Sequence, residues 1–303
     1  MTARPRHDST AGHAYLQLRT LAKAAGRATD EYLRLYALEG LAARLAASPR
    51  STDLVVKGGV LLAAYDLRRP TADLDLSGLS LSNEVQAVTS MIIDVARTEP
   101  TRDDGLAFDT QSATAQVIRD EDEYPGVRVS MMARLATAQL HFHVDVNVGD
   151  PIWPAPQVIR LPRLLGGEIE LLGYPIPMVL AEKLVTALQR GPANTRWRDF
   201  ADVYSLTLTH QLEAAEVHDA IRAVADHRRV ELRPLRGVLD GYADAGQRRW
   251  LAWRAKNNLA DRLPAEFSTV VDRVIAFADG CLVQPVSPQS TWSPSTLHWS
   301  PGP

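Results

Sequence analysis

The segment from Asp53 to Leu76 constrains this chain more than any other. A short apolar strand, Asp53-Leu54-Val55-Val56, runs into Lys57-Gly58-Gly59, and the residues from Val60 to Tyr65 suit a short helix. A basic turn, Arg68-Arg69-Pro70-Thr71, then leads into a second strand that carries Asp73 and Asp75. Side chains at i and i+2 of a strand share a face, so the two carboxylates point the same way. Such a pair suits a hard divalent cation, Mg²⁺ or Mn²⁺, whose remaining ligands are water and phosphate oxygens. Gly58 and Gly59 lack a Cβ, so their backbone can approach a phosphate closely. A phosphate cradle followed by a metal-binding carboxylate pair is the minimal equipment for moving a nucleotide. Each motif by itself is more often a turn or a solvated strand end, so their order along the chain carries the reading.

A third carboxylate comes from the run Gln139 to Val148. Its alternation is clean: His141, His143, Asp145 and Asn147 share one face, and Phe142, Val144 and Val146 the other. If this strand lies beside the first carboxylate strand, Asp145 joins Asp73 and Asp75 at one metal; otherwise it is a solvent-facing strand residue. His141 and His143 are read as a polar face rather than as ligands. Further strands are expected around Phe108, over Ala115 to Ile118 and over Val127 to Ala133. A hairpin is expected within Ile159 to Leu172, turning at Gly166-Gly167. Helical periodicity runs from Tyr15 to about Ala47 and again from Asn83 to Arg97.

From Pro177 to about Ala278 the pattern is helical, its first helix opened by Pro177 and closed by Gly191-Pro192. Lys183, Ala187 and Arg190 share one stripe of that helix; Asp199 and Asp202 share one face of the next. The plain reading is a pair of amphipathic helices with solvated charges. The sharper one has Lys183 reaching a nucleotide phosphate, held there by a carboxylate of the second helix. Two basic clusters, Arg228, Arg229, Arg233 and Arg236, and Arg248, Arg249, Arg254 and Lys256 around Trp250 and Trp253, are candidate RNA contacts, while the two tryptophans themselves fit a core. Residues 1–12 are expected to be disordered, 13–175 to form the first domain and 176–280 the second. Residues 281–303, rich in Pro, Ser and Trp, are expected to form an unstructured tail.

Composition sets outer limits. At 303 residues, 46% hydrophobic and 23% charged, the chain has ample material for one large or two smaller cores. The single cysteine, Cys281, excludes an internal disulfide framework and a cysteine zinc site. The opening Met1 to Tyr15 has no apolar core, so no signal peptide is read there; no run approaches membrane-spanning length, and the cytoplasm is the expected location. A net charge of −3 means that any surface for nucleic acid must be a local one.

Taken in order, these pieces resemble the AbiEii/AbiGii-type nucleotidyltransferase toxins, which include the mycobacterial MenT toxins. The resemblance is carried by Lys57-Gly58-Gly59, the Arg-x-Thr-x-Asp-x-Asp of Arg69 to Asp75, the strand Val144-Asp145-Val146, Ala181-Glu182-Lys183-Leu184, and Arg198-Asp199-Phe200 with Asp202. It implies an α+β fold: a DNA polymerase β-like nucleotidyltransferase core with a mixed sheet, followed by a helical C-terminal domain. It implies the toxin half of a type IV toxin–antitoxin or abortive-infection system, with a cognate antitoxin as partner (a DNA-binding protein is one form) and no membrane role. The activity implied is metal-dependent transfer of a nucleotide, a pyrimidine in known cases, from an NTP to the 3′ acceptor end of tRNA.

Carried over by position, Asp73 and Asp75 would be catalytic metal carboxylates, with Asp145 as the third, and Lys183 and Asp202 would be catalytic as well. Lys57, Gly58, Gly59, Arg69, Thr71 and Asp199 would bind the nucleotide. The family's early motif often has a serine where this chain has Gly59, which leaves the cradle to backbone N–H groups. The alternatives that stay open are nucleotide transfer to a protein or a small molecule, and a non-catalytic binding module.

Overall fold

The computed structural model describes residues 8–119, 125–283 and 287–301. The chain divides into two compact units, Met1–Asp150 with Gln157–Tyr174, and Pro151–Pro156 with Pro175–Pro303.

The first unit is built on helices α1 (Thr10–Ala24), α2 (Thr29–Ala47), α3 (Gly58–Leu61) and α4 (Val85–Arg97). Its strands are β1 (Leu54–Lys57), β2 (Asp73–Gly78), β3 (Leu106–Arg119), β4 (Pro125–Leu135), β5 (Ala138–Val148), β6 (Gln157–Pro162) and β7 (Glu168–Gly173). They form one mixed sheet in the order β3-β4-β5-β2-β1-β7-β6. The pairs β2–β5 and β1–β7 are parallel and the other pairs antiparallel. The fold is therefore of the mixed α and β kind that the motifs implied. The apolar half of the β5 alternation is the core: Phe142, Val144 and Val146 are fully buried, as are Leu54, Val55 and Val56 of the neighbouring centre. On α4, Val88, Met91, Ile92 and Val95 recur at helical spacing and are buried. At about 1.5–3 kcal/mol for each fully buried aliphatic side chain, that stripe anchors the helix.

Within the first unit the structure departs from the sequence expectations at three places. The disorder expected for residues 1–12 lies outside the described residues as far as residue 7, and from Thr10 the chain is helical, capped by the Ser9 hydroxyl. The helical periodicity up to Ala47 belongs to two helices, broken where Gly26 turns at φ +63°. The two short strands expected around Phe108 and Ala115 are one strand, β3, with a register shift between Asp109 and Thr114.

The loop from Asp66 to Ala72, which delivers the chain to β2, is fixed from behind. Arg68 pairs with the fully buried Glu39 of α2 and donates to the Pro162 carbonyl, and Glu39 also accepts from the Leu164 N–H at 2.9 Å. Burial pushes the Glu39 carboxyl above its ordinary range, and Arg68 works against that shift. Arg68 is thus a structural brace. No helix among the described residues is long and apolar enough to cross a membrane.

The second unit is helical: α5 (Ile176–Arg190), α6 (Trp197–Thr209), α7 (Ala214–Arg228), α8 (Leu235–Val238), α9 (Tyr242–Lys256) and α10 (Phe267–Asp279). An aromatic cluster of Trp197, Phe200, Tyr242, Trp250 and Phe267 joins α6, α9 and α10. Trp250 is fully buried and donates to the Pro264 carbonyl, so it belongs to this core.

The tail expected to be unstructured is folded over residues 287–301. Strands β8 (Leu212–Glu213), β9 (Thr291–Ser293) and β10 (His298–Ser300) form a small sheet in the order β10-β9-β8. Trp292 is fully buried and donates to the Thr207 carbonyl at 2.7 Å; Trp299 donates to the Phe277 carbonyl at 2.9 Å. Both rings pack on Phe277. Two indoles with satisfied N–H groups outweigh the disorder-prone Pro and Ser composition.

Candidate active site

The Gly pair sits where β1 ends. Gly58 turns the chain at φ +65°, and a Cβ there would lie 1.8 Å from Asp75 Oδ2. A Cβ on Gly59 would lie 2.6 Å from Thr71 Oγ1 and 3.1 Å from Arg69 Nη1. The glycines are therefore needed for more than backbone freedom: the side chains of the next motif pack directly against them. A side chain at position 59 would have to displace Thr71, whose hydroxyl lies against this glycine.

Asp73 and Asp75 occupy β2. The parallel register with β5 sets Asp73 beside His143 and Asp75 beside Asp145. Directly paired positions share a face, so Asp145 joins the carboxylate pair. One carboxylate oxygen from each of Asp73, Asp75 and Asp145 lies within 4.8 Å of the others, a cluster that one divalent cation can bridge. Asp145 is buried and the other two half-buried. Thr71 donates its hydroxyl to Asp73 Oδ1 at 2.9 Å, which fixes that carboxylate.

Around this cluster stand Arg128, which the sequence reading passed over, and His143, which it read as part of a polar face. Arg128, opposite Asp145 in the β4–β5 register, donates Nε to Asp145 Oδ1 at 2.7 Å and Nη2 to Oδ2 at 2.6 Å. The Asp145 hydrogen bond, supported by the charges of Asp73 and Asp75, pushes the guanidinium still further toward its charged form. The alternation Val127-Arg128-Val129-Ser130 puts Arg128 on the polar face of its strand, which was the available signal; the register that sets it against Asp145 has no local signature. His143 shares its Nδ1 with the Ser130 hydroxyl at 2.9 Å, and burial, then His141 and Arg128, hold its imidazole below the usual range.

Two expected nucleotide contacts are engaged within the protein. The Lys57 ammonium pairs with Asp150 at 3.3 Å and lies 5.5 Å from the centre of the Tyr174 ring. Arg69 donates to the Pro70 carbonyl at 3.2 Å.

In the helical unit, Lys183 of α5 meets both expected carboxylates of α6. Its Nζ lies 2.7 Å from Asp199 Oδ1 and 2.8 Å from Asp202 Oδ2, and all three side chains are largely buried. The reading of these charges as solvated is overturned: i and i+3 on α6 place both acids inward, and one ammonium satisfies them. Burial works to raise the Asp199 carboxyl, but Lys183, joined by Arg196 and Arg198, holds it below the ordinary range.

Comparison with known proteins gives two kinds of match. The sequence matches no curated protein. Among solved structures, a candidate nucleotidyltransferase from H. pylori is similar at a TM-score of 0.45 and 14% identity, over 80% of this chain and 93% of that one. JHP933 from Helicobacter pylori is similar at 0.45 and 15%, over 80% and 90%. A family model, the nucleotidyl transferase AbiEii toxin of type IV toxin–antitoxin systems, matches residues 40–273. That match runs from within α2 to within α10, through both glycines, all three sheet carboxylates and the Lys183 cluster, and the chain belongs to the AbiEii nucleotidyl transferase toxin family.

Proposed function

We propose that this chain is a metal-dependent toxin that transfers a nucleoside monophosphate, a pyrimidine one, from an NTP to the 3′ acceptor end of tRNA, and so blocks translation. The observation that carries the reading is the cluster of Asp73, Asp75 and Asp145, with oxygens within 4.8 Å of one another against the Gly58 turn. Hard carboxylate oxygens at that spacing fit Mg²⁺ or Mn²⁺. These three residues would hold it, and the cation would offset charge on the triphosphate and the leaving pyrophosphate.

The protein's own contribution is positioning. Thr71 orients Asp73 through its 2.9 Å hydrogen bond. Gly58 keeps the space that the Asp75 carboxylate occupies. The N–H groups of Gly58 and Gly59 and the guanidinium of Arg69 are the proposed phosphate donors. Lys183 is the proposed phosphate contact of the helical unit, exchanging one of its two carboxylates for a phosphate oxygen, with Asp199 and Asp202 holding the ammonium in place. The partner implied by the type IV assignment is a cognate antitoxin, a DNA-binding protein among the forms it can take.

The test is incubation with each labelled NTP and total RNA or lysate, read on denaturing gels. Label in tRNA-sized bands from a pyrimidine NTP is expected, and it should vanish in Asp73→Ala with the circular dichroism spectrum unchanged. Label in protein or in small-molecule products instead, or persisting in Asp73→Ala, would overturn the proposal.

A further inference from the structure

Three carboxylates held this close repel one another, and a fold that keeps them together must supply positive charge. Arg128 is one such source. Arg128 grips both oxygens of Asp145 in a fork at 2.6 and 2.7 Å, a bidentate geometry that adds direction as well as charge. The fork is built into the sheet: antiparallel register places Arg128 directly across from Asp145, and parallel register places Asp145 directly beside Asp75. The Arg128 side chain is 31% exposed, so its other face is open to solvent, whereas Asp145 is 9% exposed. The carboxylate is the buried partner of the pair and the arginine the more exposed one.

We infer that Arg128 is an internal counter-ion of the acidic cluster, a positioning residue that competes with the metal for Asp145. This rests on the metal reading given above. A cation seated among the three carboxylates would stand one carboxylate away from the guanidinium, positive against positive, so Arg128 lowers the metal affinity of the cluster. The opposite role, in which Arg128 merely holds Asp145 in the orientation a metal needs, predicts the opposite sign, because loosening such an outer partner weakens metal binding.

The experiment is Mn²⁺ binding to the full chain, followed by electron paramagnetic resonance of free Mn²⁺, for wild type, Arg128→Gln, Arg128→Lys and Asp73→Ala. Arg128→Gln should bind Mn²⁺ about tenfold more tightly or better, the scale of losing a charge-assisted competitor, with Arg128→Lys in between. Without metal, Arg128→Gln should melt lower than wild type, and Mn²⁺ should restore more of its melting temperature than it adds to wild type. In an Asp145→Asn background the gain from Arg128→Gln should disappear, because the carboxylate competed for is gone.

Unchanged or weaker Mn²⁺ binding in a folded Arg128→Gln overturns the counter-ion role while leaving the metal site standing. Absence of Mn²⁺ binding in every variant, or binding that survives Asp73→Ala at full strength, overturns the metal reading and the counter-ion role with it.

Discussion

Gly58→Ala separates a backbone cost from a chemical one. Gly58 has φ +65°, a left-handed conformation that costs a residue with a Cβ about 1–2 kcal/mol. The second cost is particular to this glycine: the new methyl would sit 1.8 Å from Asp75 Oδ2, 2.5 Å from its Cγ and 2.8 Å from its Cβ. Ordinary contact begins near 3.4 Å, so the carboxylate must retreat by about 1.5 Å. Misplacing a reacting group by about 1 Å can cost a factor of 10² in rate. The expectation is a loss in kcat/KM of about 10² or more for nucleotide transfer, with a melting temperature lowered by about 2–8 °C.

Gly166→Ala is the control. Gly166 also has positive φ, +83°, and open space where its Cβ would stand. It should show a comparable loss of melting temperature with transfer activity retained. The assay is incorporation of labelled nucleotide into RNA at saturating and subsaturating NTP, beside thermal melts of both variants. Gly58→Ala with activity within threefold of wild type, or Gly166→Ala losing as much activity as Gly58→Ala, would refute the claim that Gly58 acts by making room for Asp75.

The remaining expectations concern the helical unit. Lys183→Met strands two buried carboxylates and should cost about 3–5 kcal/mol in urea unfolding; a loss under about 1 kcal/mol would show that the cluster is not a buried ion triad. Asp199 is held below the ordinary carboxylate range, so its contribution is full above the unfolded pKa of about 3.9 and is lost as pH falls through the lower folded value. Wild type should therefore lose stability below about pH 4, and Asp199→Asn should lose much of that acid limb. Trp292→Ala removes a fully buried indole and its hydrogen bond to Thr207, and should cost about 3–5 kcal/mol. A change within about 0.5 kcal/mol in chemical unfolding would mean that β9 does not dock in solution.

What could be read from the sequence was what is encoded locally. The alternation of β5, the glycines of the β6–β7 hairpin and the Pro and Gly that bracket α5 are each a matter of neighbouring residues, and each element is found where its pattern lies. What escaped depends on distant partners. The Asp109/Thr114 shift in β3 interrupts the period of two while β4 continues across it. Residues 287–301 read as disordered by composition because the groups that hold them lie outside the segment, Thr207 85 residues from Trp292 and Phe277 22 residues from Trp299.

The candidate site divides along the same line. Asp73 and Asp75 were legible because i and i+2 on one strand need no partner. Asp145 joins them through a parallel pairing, and Arg128 and Lys57 flank them through two antiparallel ones, so the row Arg128–Asp145–Asp75–Lys57 runs in register across β4, β5, β2 and β1. Its order places a cation at each end and two acids in the middle. Lys57 pairs with Asp150 and lies over the Tyr174 ring, and Arg128 turns its fork onto Asp145. At the Asp145 end of the row the balancing charge is a guanidinium fork. Charge balance in this row is a property of register, which is why a substitution at Arg128, 17 residues from its partner, should move metal affinity without touching any carboxylate.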